Sequence, residues 1–329
     1  MVDVTTLDEV DRQLTQCLGI DGRASFAAIG QVLGVSDQTV ARRYRRLRAD
    51  GVLRVVGLPV TKTAAVTNWF LRVRVVPGSG EAIAAALARR ADTAWVQLLS
   101  GDTEVMCSLR GDPREGTAAL LARLPRSSRI VAVTAYSRLH LFAAGPYNLK
   151  LLAVLPAERV APLRPQSRGV IAAVNGSHGE PGELDTALFA ALALDGRAPY
   201  ADLAAATGWS ESTVRRRVEQ LRDTGALIFD LELDVTAFGY HAMTWLWLSV
   251  PPSLLAPVGE ALAAFPEIAY ATATTGPANL AACAICRDEE EFYEFLTRKV
   301  GALPGVERVE TAPVIRVIKQ ASPIAVPGK

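Results

Sequence analysis

Residues 21–51 read DGRASFAAIGQVLGVSDQTVARRYRRLRADG, and the apolar spacing of this stretch predicts two helices joined by a short turn. Ser25 and Ser36 stand before the two helices, where a serine oxygen accepts hydrogen bonds from the free N–H groups of a first helical turn. Gly34 lies between the helices and can adopt the positive φ that a tight turn requires. A further apolar repeat in residues 10–18 predicts a preceding helix, so we expect three short helices around one small core.

The last of these helices favours a role in DNA binding. A helix, a glycine turn and a second, capped helix form the helix-turn-helix motif, in which the last helix enters the major groove by its N-terminal end. Arginine there pairs with phosphate or guanine, and glutamine pairs with adenine. A merely solvated basic face is the alternative for an isolated arginine-rich helix. The candidate DNA-contacting residues are Ser36, Gln38, Thr39, Arg42, Arg45 and Arg46. We expect Arg43, beside the apolar stripe, to form a structural ion pair with Asp11.

The helix-turn-helix pattern occurs a second time. A shift of 174 residues aligns residues 11–51 with residues 185–225 without a gap, and 17 of the 41 aligned positions are identical, which indicates a duplication. The second set of candidate DNA-contacting residues is Ser210, Ser212, Thr213 and Arg216, and Arg217 is expected to pair with Asp185.

The two copies differ in charge. Residues 7–59 hold eight Arg or Lys and six Asp or Glu, whereas residues 184–236 hold five and nine. Phosphate neutralisation dominates affinity for DNA, so we expect the first copy to supply most of it.

Each helical block is followed by the same order of predicted elements: strand, helix, strand, strand, helix, strand. This is the ferredoxin-like order, and the fold class is therefore α+β, with two repeats of a three-helix domain followed by a βαββαβ domain. In the first repeat the second helix is predicted over residues 114–124, and in the second repeat over residues 289–302. The predicted domains are 1–60, 61–145, a linker over 146–182, 183–236 and 237–329. The linker is rich in Pro, Gly and Ser, which is typical of a flexible tether.

These residues resemble the Lrp/AsnC family of bacterial regulators. The resemblance rests on Leu7-Asp8, D-G-R at 21–23, the turn glycine, S-x-x-T-V-x-R-R at 36–43 and L-x-x-x-G at 47–51, and on the order of elements that follows. It implies a transcriptional regulator that binds double-stranded DNA, and a RAM domain that binds an amino acid or related metabolite and joins chains into homo-oligomers. The glycine loop between the second and third RAM strands lies near the effector site in the family. The residues implied for ligand binding here are Gly101, Asp102, Thr103 and Gly276.

Composition also argues against a membrane protein, a secreted protein and a metal-binding protein. No apolar run approaches the roughly 18 to 20 residues that span a bilayer, and the N-terminus lacks the features of a secretory signal, so we expect a cytoplasmic protein without membrane partners. Cys283 and Cys286 lie in the apolar run LAACAIC, where a strand would place them on opposite faces, so we interpret them as structural. We expect no metal, no cofactor, no catalytic residue and no enzymatic activity.

Two alternatives remain open. Siroheme decarboxylases resemble the same two-domain fold and rely on histidine and arginine near a tetrapyrrole. Of the three histidines, only His241 falls between a helical block and a RAM domain. The other alternative is a sensor or oligomerisation module that kept degenerate DNA-binding domains.

Overall fold

A computed structural model describes residues 7–60, 67–111, 124, 127–144, 150–163 and 182–321. These residues form two compact units, each assembled from both halves of the chain. The helical unit contains the described residues of 7–60, 144–163 and 182–241, and the sheet unit contains those of 67–143 and 242–321. The helix predicted over residues 114–124 lies outside the described residues apart from Leu124.

The described α-helices are, in chain order, α1 Glu9–Ile20, α2 Phe26–Leu33, α3 Asp37–Ala49, α4 Gly80–Ala88, α5 Ala157–Val160, α6 Glu183–Leu194, α7 Tyr200–Thr207, α8 Glu211–Thr224, α9 Leu255–Ala264 and α10 Glu289–Glu294. The described strands are β1 Leu53–Pro59, β2 Thr67–Val75, β3 Thr93–Leu99, β4 Glu104–Gly111, β5 Ile130–Ala143, β6 Leu227–Leu233, β7 Ala242–Ser249, β8 Ile268–Thr274, β9 Leu280–Cys286 and β10 Arg308–Lys319. Helices α1–α3 with β1 make the first helical domain, and α6–α8 with β6 make the second.

The helix boundaries follow from local chemistry. The hydroxyls of Ser25 and Ser36 accept from backbone N–H groups in the first turns of α2 and α3, as predicted. Gly34 closes α2 with φ +73°, and its counterpart Gly208 closes α7 with φ +74°. Each helical domain has its own apolar core, because the apolar faces of its three helices pack against one another. The fully buried residues include Leu14, Leu18, Ile29, Val40 and Leu47 in the first domain and Leu188, Leu192, Leu203, Val214 and Val218 in the second.

Strands β1 and β6 join the two helical domains. They pair antiparallel from Leu53 opposite Leu233 to Pro59 opposite Leu227. Each strand follows the last helix of its own domain, so the ladder fixes one domain against the other.

The interpretation of residues 146–182 as a flexible tether is wrong for residues 150–163. This stretch forms short helical turns at Lys150–Leu152, α5 and Ala161–Leu163. Its apolar side chains enter the core of the first helical domain; they are Leu152, Leu155, Val160 and Leu163. The side-chain amide of Gln16 holds the segment by accepting from Leu155 N at 2.7 Å and donating to Leu155 O at 3.0 Å. Burial of four apolar side chains outweighs the flexibility that a Pro- and Ser-rich composition suggested.

The sheet unit is one closed sheet built from two four-stranded halves. Its strand order is β10-β3-β4-β2-β5-β8-β9-β7. The long last strand of each half crosses to the other half, so β5 pairs with β8 and β10 pairs with β3. The second half shows the predicted order β7-α9-β8-β9-α10-β10. Its last helix spans the predicted residues 289–302 but is α-helical only in α10; Phe295–Lys299 form a π-helix and Val300–Ala302 a 3-10 turn, and buried Phe295 packs against Phe265.

Aromatic residues fill the interior of the closed sheet. Trp247 stacks on Tyr136 with ring centroids 4.9 Å apart, and Trp245 lies 5.8 Å from both Trp247 and Phe70. The indole N–H of Trp245 donates a buried 2.6 Å hydrogen bond to Gln97 Oε1. These contacts join residues of both halves, so the two halves share this interior core. Among the described residues, no helix is long and apolar enough to cross a membrane.

Candidate functional site

Helix α3 presents a polar face because its apolar residues all turn inward. Val40, Tyr44 and Leu47 are buried in the core of the first helical domain. Gln38 and Arg42 are exposed on the opposite side, and neither side chain has a hydrogen-bond or ion-pair partner in the part of the chain that the structure describes. These two side chains are therefore available to an external partner.

The neighbouring arginines have structural partners. Arg43 Nη1 donates to Asp11 Oδ1 at 2.9 Å and to Asp8 Oδ2 at 2.6 Å, which confirms the predicted ion pair. These hydrogen bonds raise the pKa of Arg43, Asp8 contributing most. Arg46 also forms an ion pair with Asp11, a fully buried carboxylate, although 43 % of the Arg46 side chain stays exposed. A guanidinium that neutralises a buried carboxylate is held in place, so Arg46 is a weaker candidate for DNA contact than Arg42.

The remaining predicted residues of α3 lie at its N-terminal end and on its exposed side. Ser36 Oγ accepts from Thr39 N at 3.2 Å and lies 2.9 Å from Thr39 Oγ1, so both hydroxyls are engaged in the helix cap. Arg45 is exposed and donates from Nε to the carbonyl oxygen of Ala41 at 3.3 Å. The structure thus brings the six predicted residues onto one end and one side of a single helix.

Helix α8 repeats this geometry with a different charge pattern. Ser210 caps it through Thr213 N, and its hydroxyl also lies 3.0 Å from Ser212 Oγ. Arg216 is exposed and without a partner among the described residues, as Arg42 is in α3. The position that corresponds to Arg45 is Glu219, which is also exposed. An acidic side chain on this face opposes the approach of a phosphate backbone.

Arg217 and Asp185 form the predicted ion pair of the second helical domain. Arg217 donates from Nε at 2.8 Å and from Nη2 at 2.7 Å to the two carboxylate oxygens. This bidentate contact lowers the pKa of the buried Asp185 carboxyl.

Two further arginines have a role that the sequence analysis missed. Arg23 donates to the carbonyl oxygens of Gly196 at 2.8 Å and Ala198 at 3.2 Å. Its counterpart Arg197 donates to the carbonyl oxygens of Gly22 at 2.6 Å and Ala24 at 3.0 Å. Each arginine therefore binds the D-G-R-A turn of the other copy. The identity of this turn in both copies was the available signal.

The predicted ligand-binding residues of the first half lie in the loop between β3 and β4. Ser100, Gly101 and Asp102 all adopt positive φ, at 51°, 67° and 69°. Thr103 Oγ1 donates to the carbonyl oxygen of Ser100 at 2.7 Å and closes the loop. Asp102 Oδ1 is buried against Gly80, the first residue of α4, where a side chain on Gly80 would overlap it. This oxygen has no hydrogen-bond partner among the described residues, although its place beside the N-terminus of α4 is one where the helix dipole favours a carboxylate.

The corresponding loop of the second half is packed against β5. Thr275 N donates to the carbonyl oxygen of Ser137 at 2.9 Å, and Ser137 N donates to Thr275 Oγ1 at 2.9 Å. Gly276 has φ +104°, and a Cβ there would lie 2.9 Å from the Tyr136 ring. The first loop makes the equivalent contact across the halves, from Ser100 N to the carbonyl oxygen of Pro313 at 3.0 Å. Both glycine loops are therefore part of the junction between the two halves.

The cysteines and histidines do not form a site in the described structure. Cys283 faces the aromatic interior and Cys286 faces the helix-covered side, as expected for a strand. Burial raises the pKa of each of these thiols to about 12. Among the described residues no cluster of His, Cys, Asp and Glu could hold a metal ion. His241 and His140 are both exposed, and the third histidine, His178, lies outside the described residues.

Comparison with known protein families agrees with this geometry. The AsnC-type helix-turn-helix domain matches residues 7–48 and again residues 183–222. The Lrp/AsnC ligand-binding domain matches residues 246–324. The HTH-type transcriptional regulator FL11 of Pyrococcus horikoshii is 30% identical over 145 residues, which are 44% of this chain and 95% of the relative. The chain belongs to the Lrp/AsnC family. The LrpA regulator of the same organism is 27% identical over 138 residues, 42% of this chain and 98% of LrpA.

These Lrp/AsnC relatives match less than half of the chain while the match spans nearly all of their own length. A solved structure covers almost the whole chain: the siroheme decarboxylase NirDL superposes with a TM-score of 0.61 over 95% of this chain and 93% of its own, at 14% identity. At that identity the likeness shows a shared fold alone.

Proposed function

We propose that this Lrp/AsnC-type regulator binds double-stranded DNA sequence-specifically, chiefly through α3, and responds to an amino acid or a related small metabolite through its ligand-binding domains. The proposal rests on a difference among the polar side chains of α3: some are bound within the protein and others are available to DNA. Arg43 and Arg46 are bound to Asp11, whereas the side chains of Arg42 and Gln38 are exposed and without a partner in the described part of the chain. Side chains of these two types read guanine and adenine in the major groove.

The second helical domain contributes less affinity. It keeps the exposed Arg216 but has Glu219 where the first domain has Arg45. Each lost phosphate contact weakens binding and reduces its dependence on salt, and an added carboxylate repels the backbone. We therefore expect unequal contributions from two domains with the same fold.

A gel-shift titration on the DNA upstream of the protein's own gene tests this. The full-length protein is compared with Arg42→Ala, Arg216→Ala and the control Arg298→Ala, which removes a highly exposed arginine of the sheet unit. Arg42→Ala is expected to weaken binding roughly tenfold or more, about the value of one good base contact, with a smaller loss for Arg216→Ala. An equal or larger loss from Arg216→Ala contradicts the ranking. Salt-independent or absent binding favours a sensor with degenerate DNA-binding domains.

The effector is sought by thermal shift, because a ligand that binds only the native state raises the melting temperature. The protein is screened against the amino acids, first as the wild type and then as Asp102→Asn. If Asp102 binds an amino group, the shift produced by the best ligand falls in the variant. If Asp102 acts only on α4, the ligand-induced shift is unchanged. Light scattering of the same samples tests the proposed assembly of chains through the ligand-binding domains, which a strictly monomeric mass would refute.

A second candidate function is siroheme decarboxylation, favoured by the whole-chain fold likeness to NirDL. The likeness concerns the fold alone. His241, which lies in sequence between a helical block and a RAM domain, is exposed and belongs to no metal-binding cluster among the described residues. Titration with siroheme, followed by its absorption spectrum, separates the two functions. A saturable spectral shift that is lost in His241→Ala would favour the enzyme, and an unchanged spectrum favours the regulator.

A further inference from the structure

The two helical domains are related by a two-fold axis within one chain. In the β1–β6 ladder Val56 pairs with Asp230, its own counterpart at the 174-residue spacing. The remaining pairs of the ladder are related in the same way. The counterparts of Leu53 and Leu233 are Leu227 and Pro59, and these two residues also pair with each other. An antiparallel ladder centred on an equivalent pair is the arrangement that two-fold symmetry produces in a homodimer.

Side-chain contacts repeat the same symmetry. The hydrogen bonds of Arg23 to Gly196 are matched by those of Arg197 to Gly22. The cation–π contact of Arg23 with the Tyr200 ring at 4.7 Å is matched by that of Arg197 with the Phe26 ring at 4.3 Å.

Ion pairs extend this pattern to the C-terminal ends of the candidate recognition helices. Arg48 binds Asp195 at 2.7 Å, and its counterpart Arg222 binds Asp21 at 3.0 Å. The last turns of α3 and α8 are thereby tied to the opposite domain, so the two helices have a fixed mutual orientation.

We propose that a single chain reads one composite DNA site, made of two half-sites in inverted orientation whose sequences differ. The inference rests on the proposed function and deepens it. Two helix-turn-helix domains related by a two-fold axis meet two half-sites related by the dyad of the duplex. In a homodimer the half-sites would be equal. Here the two recognition helices differ, so the half-sites differ as well.

The exposed side chains that differ between α3 and α8 determine which base pairs differ between the two half-sites. Arg42 and Arg216 are counterparts, so one guanine or phosphate contact is common to both half-sites. Gln38 corresponds to Ser212, which exchanges an adenine-reading amide for a short hydroxyl. Arg45 corresponds to Glu219, which exchanges a donor for a carboxylate that accepts from cytosine and repels phosphate.

The test is selection from a random duplex library with the full-length protein. A matched double variant, S212Q with E219R, gives α8 the exposed side chains of α3 at two positions that do not contribute to its core. The wild type is expected to enrich an inverted pair of unequal half-sites, bound by one chain per site. The variant is expected to enrich an inverted pair whose second half-site has become like the first. A direct repeat, a lone half-site or two equal half-sites for the wild type would each overturn the inference.

A second measurement tests the fixed orientation of the two recognition helices independently of their sequence preference. Insertion of five base pairs between the enriched half-sites turns one of them to the opposite face of the duplex. Two linked sites bind more tightly than either alone, so the insertion is expected to weaken binding roughly a hundredfold, to the level of the stronger half-site. Unchanged affinity would overturn the fixed pairing while leaving DNA binding itself intact. Failure to enrich any sequence would instead overturn the proposed function and, with it, this inference.

Discussion

Arg197 Nη1 donates a 2.6 Å hydrogen bond to the carbonyl oxygen of Gly22. The same guanidinium donates to the carbonyl oxygen of Ala24 at 3.0 Å and lies over the Phe26 ring. Burial lowers the pKa of Arg197, because the charged guanidinium loses solvation there. These contacts cross the junction of the two helical domains.

Replacement of this arginine should loosen that junction. Arg197→Met keeps an apolar stem but leaves two buried carbonyl groups without a donor, so we expect the helical unit to lose about 2–4 kcal/mol of unfolding free energy. Arg216→Met is the matched control, since Arg216 is exposed, and should change stability by less than about 0.5 kcal/mol. Denaturant titration followed by circular dichroism measures both. Equal stabilities of the two variants would contradict the assigned role.

The D-G-R-A turn also shows how far the sequence could be interpreted. Periodicity and capping residues predicted α1–α3, α6–α8 and the exposed position of Arg42, because these depend on neighbours within one helix. The identity of the turn in both copies marked Arg197, but its partner is a backbone carbonyl 175 residues away, and sequence does not show which carbonyl an arginine binds. The pairing of β1 with β6 was hidden for the same reason. Residues 150–163 were misjudged because composition describes the preference of a free chain and not the burial of Leu155.

A second junction joins the two halves of the closed sheet through Gln97 and Trp245. Gln97→Met leaves the buried indole N–H of Trp245 without an acceptor, which should cost about 1–3 kcal/mol of unfolding free energy. Gln31→Met, at an exposed glutamine, makes the same chemical change without that loss. If the bond matters, Gln97→Met in a Trp245→Phe background costs less than in the wild type. Additive effects in this double-mutant cycle, measured by denaturant unfolding, would argue against the bond.

The two glycine loops offer a matched pair of substitutions. Gly101 has φ +67° with open space around its Cβ position, so Gly101→Ala should cost only the left-handed backbone penalty of about 1–2 kcal/mol. Gly276 has φ +104°, and its added methyl would press on the Tyr136 ring, so Gly276→Ala should cost about 1–3 kcal/mol more. Melting temperatures of the two variants check the order. A smaller loss for Gly276→Ala would show that this loop is not held against Tyr136.

The ion pair between Asp185 and Arg217 gives the helical unit a dependence on pH. The pKa of the Asp185 carboxyl is lowered from 3.8, first by its hydrogen bonds to Arg217 and then by the backbone N–H of Gly182. The contacts with Asp185 raise the pKa of Arg217, which therefore stays protonated throughout the acidic range. Only the carboxyl of this pair titrates between neutral pH and strong acid.

Because the folded state lowers the pKa of Asp185, the unfolded chain binds the proton more tightly, and acid favours unfolding. The contribution of the pair is fully present above pH 3.8 and is lost as the pH falls below it towards the folded pKa. Hydrogen exchange of α6 and α8 amides, measured from pH 6 to pH 2 with correction for intrinsic rates, should show this loss of protection. Asp185→Asn should lower protection already at pH 6 and flatten its decline in acid. A decline as steep as that of the wild type would place the responsible carboxylate elsewhere.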